Sequence, residues 1–92
     1  MTDTAPDRPR TRDDLVFRPL DDEWVVFDPA ADKLHAMNLT AALVWSHCTG
    51  DATLEEIAAA VGEAFDPPVE GPTILGDVRE AVERFRAEGL LA

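Results

Sequence analysis

The stretch FDPAADKLHAMNLTAALVW, residues 27–45, decides the fold because it combines a strand end, a turn, a second strand and a helix start. Pro29 presets a turn and Asp32 can bond its own backbone, so the chain is predicted to fold back there. KLHAMN, residues 33–38, then forms the returning strand. Asn38 is a good N-cap for the helically spaced apolar residues that follow. The stretch therefore predicts a hairpin that leads directly into a helix.

Two runs upstream of this stretch have the composition of strands. LVFRPL, residues 15–20, and EWVVFD, residues 23–28, are rich in β-branched and aromatic residues, which favour extended backbone. Asp21 and Asp22 separate the two runs and suit a turn. Together with residues 33–38, they predict a meander of three antiparallel strands.

Three helices are predicted after the strands, spanning about residues 39–48, 53–65 and 73–88. Thr53 and Glu56 have the spacing of a capping box. The linker DPPVEGP holds three prolines and a glycine and cannot continue a helix, so Thr73 is predicted to cap the third helix and Gly89 to end it. The predicted fold class is α+β, with a three-stranded antiparallel sheet followed by three helices.

The third strand has two apolar faces. Alternation places His35 and Met37 on one face and Leu34 and Ala36 on the other. Neither set is strongly polar, so the sequence predicts that both faces are covered.

The N-terminal residues differ in composition from the rest of the chain. Residues 1–14 contain Pro6, Pro9 and many charged side chains, with almost nothing to bury. Such a composition is typical of a disordered arm. We therefore expect one folded domain, residues 15–92, which is small enough to bury only about 60–65% of the surface of its unfolded chain.

Charge and hydropathy exclude several classes of partner. The 19 acidic and 8 basic residues give a net charge of −11, which opposes binding to a nucleic-acid backbone. The chain has no apolar run of about 18 residues, and MTDTAPDRPRTRDD lacks the apolar middle of a signal peptide. We expect a cytoplasmic protein that binds neither nucleic acid nor membrane.

Candidate catalytic and metal-binding residues are few. A single cysteine, Cys48, and two histidines cannot form an internal disulfide or a four-ligand zinc site. His47 and Cys48 are neighbours on a predicted helix and point about 100° apart, so neither orients the other. The sequence predicts no enzyme activity, no metal and no cofactor.

The second and third predicted helices allow a helix-turn-helix interpretation. Arg79, Arg84 and Arg86 could then read a DNA groove, as in a transcriptional regulator. The linker is longer than the usual turn of about three or four residues, and carboxylates on the same helix cancel the positive charge. The alternative is a solvated helix face stabilised by pairs such as Glu80 with Arg84 and Glu83 with Arg86.

The third strand lies at the edge of the predicted meander. An edge strand presents unpaired N–H and C=O groups, and KLHAMN carries only one lysine and no proline to protect them. Two interpretations remain at this stage. Either a helix or the N-terminal arm covers the edge, or the edge accepts an extended peptide as a fourth strand.

The chain resembles the PqqD-like family of RiPP recognition elements, where RiPPs are ribosomally made peptides that are modified after translation. The resemblance extends over residues 15–91, and LHAMNLTAALVW and the DV…GLL ending carry it most specifically. It implies a winged helix-turn-helix-like domain without catalytic activity, which binds the leader of a precursor peptide. It also implies a partner enzyme that modifies the peptide, such as a radical SAM enzyme, a cyclase or a protease.

The resemblance also implies where the leader binds. It adds as a strand along the third strand, in a groove closed by the third helix. The strand residues are Lys33, Leu34, His35, Ala36 and Met37, and the helix residues are Val78, Arg79, Val82 and Arg86. Leu34 and His35 stand where many relatives carry an aromatic pair. Besides the transcriptional regulator, a docking subunit that contacts an enzyme without binding peptide is the remaining alternative.

Overall fold

The computed structural model describes residues 7–21 and 23–92, which form a three-stranded sheet followed by three helices. The strands are β1 (Val16–Leu20), β2 (Glu23–Asp28) and β3 (Lys33–Met37), and the helices are α1 (Leu39–Ser46), α2 (Leu54–Glu63) and α3 (Gly71–Ala87). The sheet is antiparallel in the order β1-β2-β3. The predicted α+β, winged helix-turn-helix-like fold is confirmed.

The turn between β2 and β3 forms where the sequence predicts it. Asp32 has a φ of 54°, in the left-handed region that aspartate tolerates. The carboxylate of Asp28 accepts hydrogen bonds from the N–H groups of Ala30 and Ala31 at 3.1 and 3.3 Å. In the first turn Asp21 has a φ of 45°, and Asp22 lies outside the described residues.

Side-chain caps begin the first two helices. Asn38 Oδ1 accepts a hydrogen bond from the N–H of Ala41 at 2.8 Å, as the sequence predicts. Thr53 and Glu56 form the predicted capping box, with bonds of 3.2 and 2.8 Å. Both helices end two residues earlier than predicted, at Ser46 and Glu63.

The third helix begins earlier than the sequence predicts. Glu70, and not Thr73, is the N-cap, and Pro72 lies in the first turn. A proline is tolerated there because the first helical N–H groups have no partner within the helix. Gly89 ends the helix as predicted, with a φ of 72°.

The core lies between one face of the sheet and the helices. Its fully buried side chains include Val26 of β2, Val44 of α1, Ile57 and Val61 of α2, Val78, Val82 and Phe85 of α3, and Leu90. Trp45 of α1 connects these layers. Its ring stacks on Phe17 of β1 at 6.3 Å and meets Phe85 edge-on at 5.2 Å.

The other face of the sheet is open to solvent. His35 and Met37 point toward the helices, as alternation predicts, and Met37 is buried. Leu34 is 68% exposed and Leu20 is 55% exposed on the opposite side. The expectation that both faces of β3 are covered is therefore wrong, since Leu34 and Ala36 lie exposed on the face turned away from the core.

Residues 9–12 are part of the folded unit. Arg10 bridges to Thr49 and Thr11 bridges to Leu91, and backbone bonds of 3.0–3.1 Å join this segment to the end of α1 and to Leu90. Arg12 forms a salt bridge with Asp28. This corrects the prediction of a disordered arm over residues 1–14 for its described part, because backbone pairing needs no apolar side chains; residues 1–6 lie outside the described residues.

The pairing of Arg12 with Asp28 predicts acid sensitivity. Arg12, followed by the N–H groups of Ala31 and Ala30, lowers the pKa of Asp28 below its ordinary 3.8. Since the folded carboxyl has the lower pKa, it stabilises the fold fully above its ordinary pKa of 3.8, and this contribution is lost as pH falls through the folded pKa. Asp28→Asn is expected to be less stable than wild type near neutral pH, with a smaller difference in acid.

Urea unfolding at about pH 7 and about pH 2.5 measures this difference. Asp13→Asn is the matched control, because Asp13 is exposed and its salt bridge among the described residues is a 3.5 Å contact with Arg10. An equal deficit for Asp28→Asn at both pH values would contradict the assignment.

Two helix glycines are expected to respond oppositely to alanine. A Cβ on Gly62 would lie 2.0 Å from the carbonyl oxygen of Val69, whereas a Cβ on Gly76 meets nothing within 4 Å. Gly62→Ala is expected to destabilise the fold by about 1–3 kcal/mol or more, because backbone must move. Gly76→Ala is expected to stabilise it by about 0.5–1 kcal/mol through helix propensity. Thermal unfolding of both variants checks the pair, and equal effects would refute this packing of α2.

Candidate peptide-binding groove

The edge of β3 is the starting point of the candidate site. β3 pairs with β2 on one side, and within residues 7–21 and 23–92 no strand pairs with its other side. An unpaired edge in a small sheet offers main-chain donors and acceptors to an extended chain. The described part of the N-terminal segment does not cover this edge, because it pairs near Thr49 and Leu91.

One hydrogen bond shows which backbone groups face the open edge. Arg84 Nη2 of α3 donates to the carbonyl oxygen of Ala36 at 3.4 Å, so this carbonyl points away from β2. In an antiparallel ladder the N–H and C=O of one residue point the same way and alternate along the strand. Leu34 and Ala36 therefore direct their backbone groups to the open edge, and His35 directs its groups to β2.

A cleft lies beside this edge, between the junction of β3 with α1 and one flank of α3. It has a volume of about 290 Å³ and is lined by Asn38, Thr40, Ala41, Asp77, Glu80, Ala81, Arg84 and Phe85. A wider depression of about 630 Å³ continues from it, lined by Glu23, Trp24, Ala36, Met37, Asn38, Leu39 and Arg84. The two share Asn38 and Arg84, so together they form one groove along the end of β3.

The carboxylate of Glu88, at the end of α3, contacts a β3 side chain at one end of the groove. His35 Nδ1 and Arg84 Nε lie 3.5 and 3.4 Å from the same atom, Glu88 Oε1. The chain directions explain the order of these contacts. α3 runs antiparallel to β3, so Glu88 meets His35 and Arg84 meets Ala36, while Asp77 lies near Asn38.

The four residues predicted to form the helix wall of the groove do not line it together. Val78 and Val82 are fully buried in the core. Arg79 lies 3.9 Å from Glu55 of α2, and Arg86 pairs with Asp7 at 2.9 Å. The predicted wall of Val78, Arg79, Val82 and Arg86 is therefore corrected.

The α3 residues that line the groove are Asp77, Glu80, Ala81, Arg84 and Phe85, and Glu88 continues the same side of the helix toward His35. Four of them, at positions 77, 81, 84 and 88, follow the spacing of a single helix stripe. This spacing is visible in the sequence. Which of the two polar flanks of α3 faces β3 depends on how the helix crosses the sheet, and the sequence pattern does not contain that information.

The β3 residues of the predicted site take different positions. Lys33, Leu34 and Ala36 are exposed, whereas Met37 is buried and His35 is partly buried. Backbone groups at the edge are accessible whatever the side-chain orientation. The five residues thus form one edge, with Leu34 and Ala36 supplying its bonding groups.

Cys48 is not placed to act as a nucleophile. It is 2% exposed, and its Sγ donates to the carbonyl oxygen of Val44 at 3.2 Å. Burial raises the pKa of Cys48 to about 12, with a smaller contribution from the charge of Asp7. The thiol is therefore protonated at neutral pH, and the thiolate is the reactive form.

Comparison with known proteins gives one family. Residues 23–91 match the family described as coenzyme PQQ synthesis protein D (PqqD). The chain belongs to the PqqD family. This match covers β2, β3 and all three helices, and so includes both sides of the groove. No curated protein matches the sequence.

Two solved structures share the fold of this PqqD-family chain. TbiB1 in complex with the TbiA(β) leader peptide is 23% identical with a TM-score of 0.71, covering 89% of this chain and 93% of that one. Lasso peptide synthetase B1 complexed with the leader peptide is 19% identical with a TM-score of 0.74, covering 94% and 99%. Among the described residues, no helix is long and apolar enough to cross a membrane and no three potential metal ligands cluster.

Because Val82 is buried, we expect its truncation to lower the stability of the fold and not to remove a contact with a bound peptide. Val82→Ala removes two methyl groups from a fully buried site, and we expect a loss of about 1–3 kcal/mol in the free energy of unfolding. Ala81→Ser, on the groove-facing side of the same turn, is the matched control and is expected to change stability far less. Urea unfolding measures both; unchanged stability in Val82→Ala would restore Val82 to the groove wall.

Proposed function

We propose that this chain is a RiPP recognition element, which binds the leader of a precursor peptide and presents the peptide to a modifying enzyme. Membership of the PqqD family supports this function. The main structural support for this function is the open edge of β3, where the backbone groups of Leu34 and Ala36 face a groove beside α3. The two solved structures with the same fold hold leader peptides.

The leader binds as a fourth strand. Its main chain exchanges hydrogen bonds with Leu34 and Ala36, and alternate side chains enter the groove toward Ala81 and Phe85. Backbone bonding supplies affinity for any extended segment, and the groove supplies specificity. Asp77, Arg84 and Glu88 replace the helix residues that the sequence resemblance implied.

The domain has no chemistry of its own in this proposal. Binding tethers the precursor, so that its modification site meets the enzyme at an effective concentration on the order of millimolar. The enzyme, of a class such as radical SAM enzymes, cyclases or proteases, carries out the reaction. We propose that the domain and both partners act in the cytoplasm.

The charges of α3 favour a peptide over DNA. Arg79, Arg84 and Arg86 each lie within 4 Å of a carboxylate, so they do not form a basic face for a phosphate backbone. The net charge of −11 also opposes a polyanion. A transcriptional regulator with α3 as its recognition helix would need both properties reversed.

The test is titration of the purified domain with the leader segment of the precursor peptide encoded beside its gene. Saturable heat by calorimetry is expected, with amide shifts concentrated at residues 33–38 and 77–88. Ala36→Pro removes an N–H that faces the edge, at a position where proline leaves the β2 bonds intact. We expect this variant to fold and to lose at least about tenfold in affinity, since an added strand depends on such bonds.

Ala36→Val is the matched control, because it keeps the N–H and its side chain lies on the exposed sheet face. Normal binding by Ala36→Val and weak binding by a folded Ala36→Pro would support strand addition. Wild-type affinity in Ala36→Pro would rule out this edge. A folded wild-type domain that ignores the leader but binds the modifying enzyme would instead identify a docking subunit.

A further inference from the structure

Arg84 occupies the point where an added strand would bond. Its Nη2 donates to the Ala36 carbonyl at 3.4 Å, and this carbonyl is the acceptor that an incoming N–H requires. An added strand therefore displaces the guanidinium. The Arg84 side chain is 56% exposed and its pairing distance to Glu88 is 3.4 Å, so few contacts hold it in place.

The displaced guanidinium stays beside the added strand because α3 fixes its backbone. Among the residues that line the cleft and the wider depression, Arg84 is the one cation, with Asp77, Glu80 and Glu23 as the anions. Its carboxylate neighbour, Glu88, is shared with His35. Arg84 thus has donors available for a second carboxylate, and a guanidinium pairs with carboxylates in a fixed fork geometry.

Strand alternation determines which peptide side chains reach Arg84. The peptide residue paired with Ala36 projects its side chain to the same sheet face as Ala36, away from the helices. The residues on either side of it lie opposite His35 and Met37 and project toward α3. Only these groove-facing positions bring a side chain to the guanidinium.

We propose that Arg84 is a specificity residue that selects leader peptides with Asp or Glu at a groove-facing position next to the residue paired with Ala36. This rests on the proposed strand addition and adds a substrate class to it. In the free domain the same arginine caps the edge carbonyl. In the complex it exchanges this neutral acceptor for a peptide carboxylate, which is the stronger partner.

The experiment uses synthetic leader peptides of the precursor encoded beside the gene, each with Glu, Gln or Lys at one position of the bound stretch. Each peptide is titrated into the wild-type domain at low ionic strength, where exposed ion pairs are least screened. Glu is expected to bind about three- to tenfold more tightly than Gln at groove-facing positions, and equally at the alternate, outward positions.

Arg84→Gln separates specificity from structure. We expect this variant to bind the Glu and Gln peptides with equal affinity, because glutamine has no charge to pair with the peptide carboxylate. Arg79→Gln is the matched control: it removes the same charge from the α2 side of α3, beside Glu55, and keeps the preference.

The possible outcomes test the role of Arg84 separately from leader binding by the domain. Leader binding with no Glu preference in wild type, or with the same preference in Arg84→Gln, would overturn the role of Arg84 and leave the recognition element standing. Equal weakening of all peptides by Arg84→Gln would assign Arg84 to structure alone. No binding of any peptide to the folded wild-type domain would overturn both proposals.

Discussion

The packing of Trp45 fixes how the sheet meets the helices. Its ring lies between Phe17 of β1 and Phe85 of α3, so one side chain of α1 sets the distance between the sheet and α3. Aromatic contacts of this kind bury a large area with a defined geometry. With α3 held on the Trp45 side, its polar flank comes to lie along β3, and the groove follows from that placement.

The sequence predicts the elements well and their lateral placement poorly. The hairpin, the Asn38 cap and the capping box at Thr53 are local features, and local hydrogen bonding decides them. The sequence predicts too late a start for α3, because a proline suggests a helix boundary although a first helical turn accepts one at Pro72. The docking of residues 9–12 depends on backbone pairing with distant segments, for which composition gives no signal.

The sequence likewise predicts one side of the candidate site and not the other. The β3 edge follows from strand order, which the sequence indicates. Strand order does not predict the helix wall, because α3 has two polar flanks separated by the buried Val78 and Val82. Only the crossing of α3 over β3 brings Arg84 to the groove and leaves Arg79 beside Glu55. A helical wheel shows which residues share one flank of α3, but it does not show which element that flank packs against.

Arg12 connects the two walls of the groove at one end. Its Nη1 donates to Asp28, the last residue of β2, at 3.1 Å and to the carbonyl oxygen of Gly89, just after α3, at 2.9 Å. The hairpin that presents β3 and the end of α3 are therefore fixed to one guanidinium. The opposite end, near Asn38, has no such link among the described contacts and contains the cleft. The proposed strand addition then needs little backbone rearrangement, because the groove is fixed at one end and open at the other, and this lowers the ordering cost of binding.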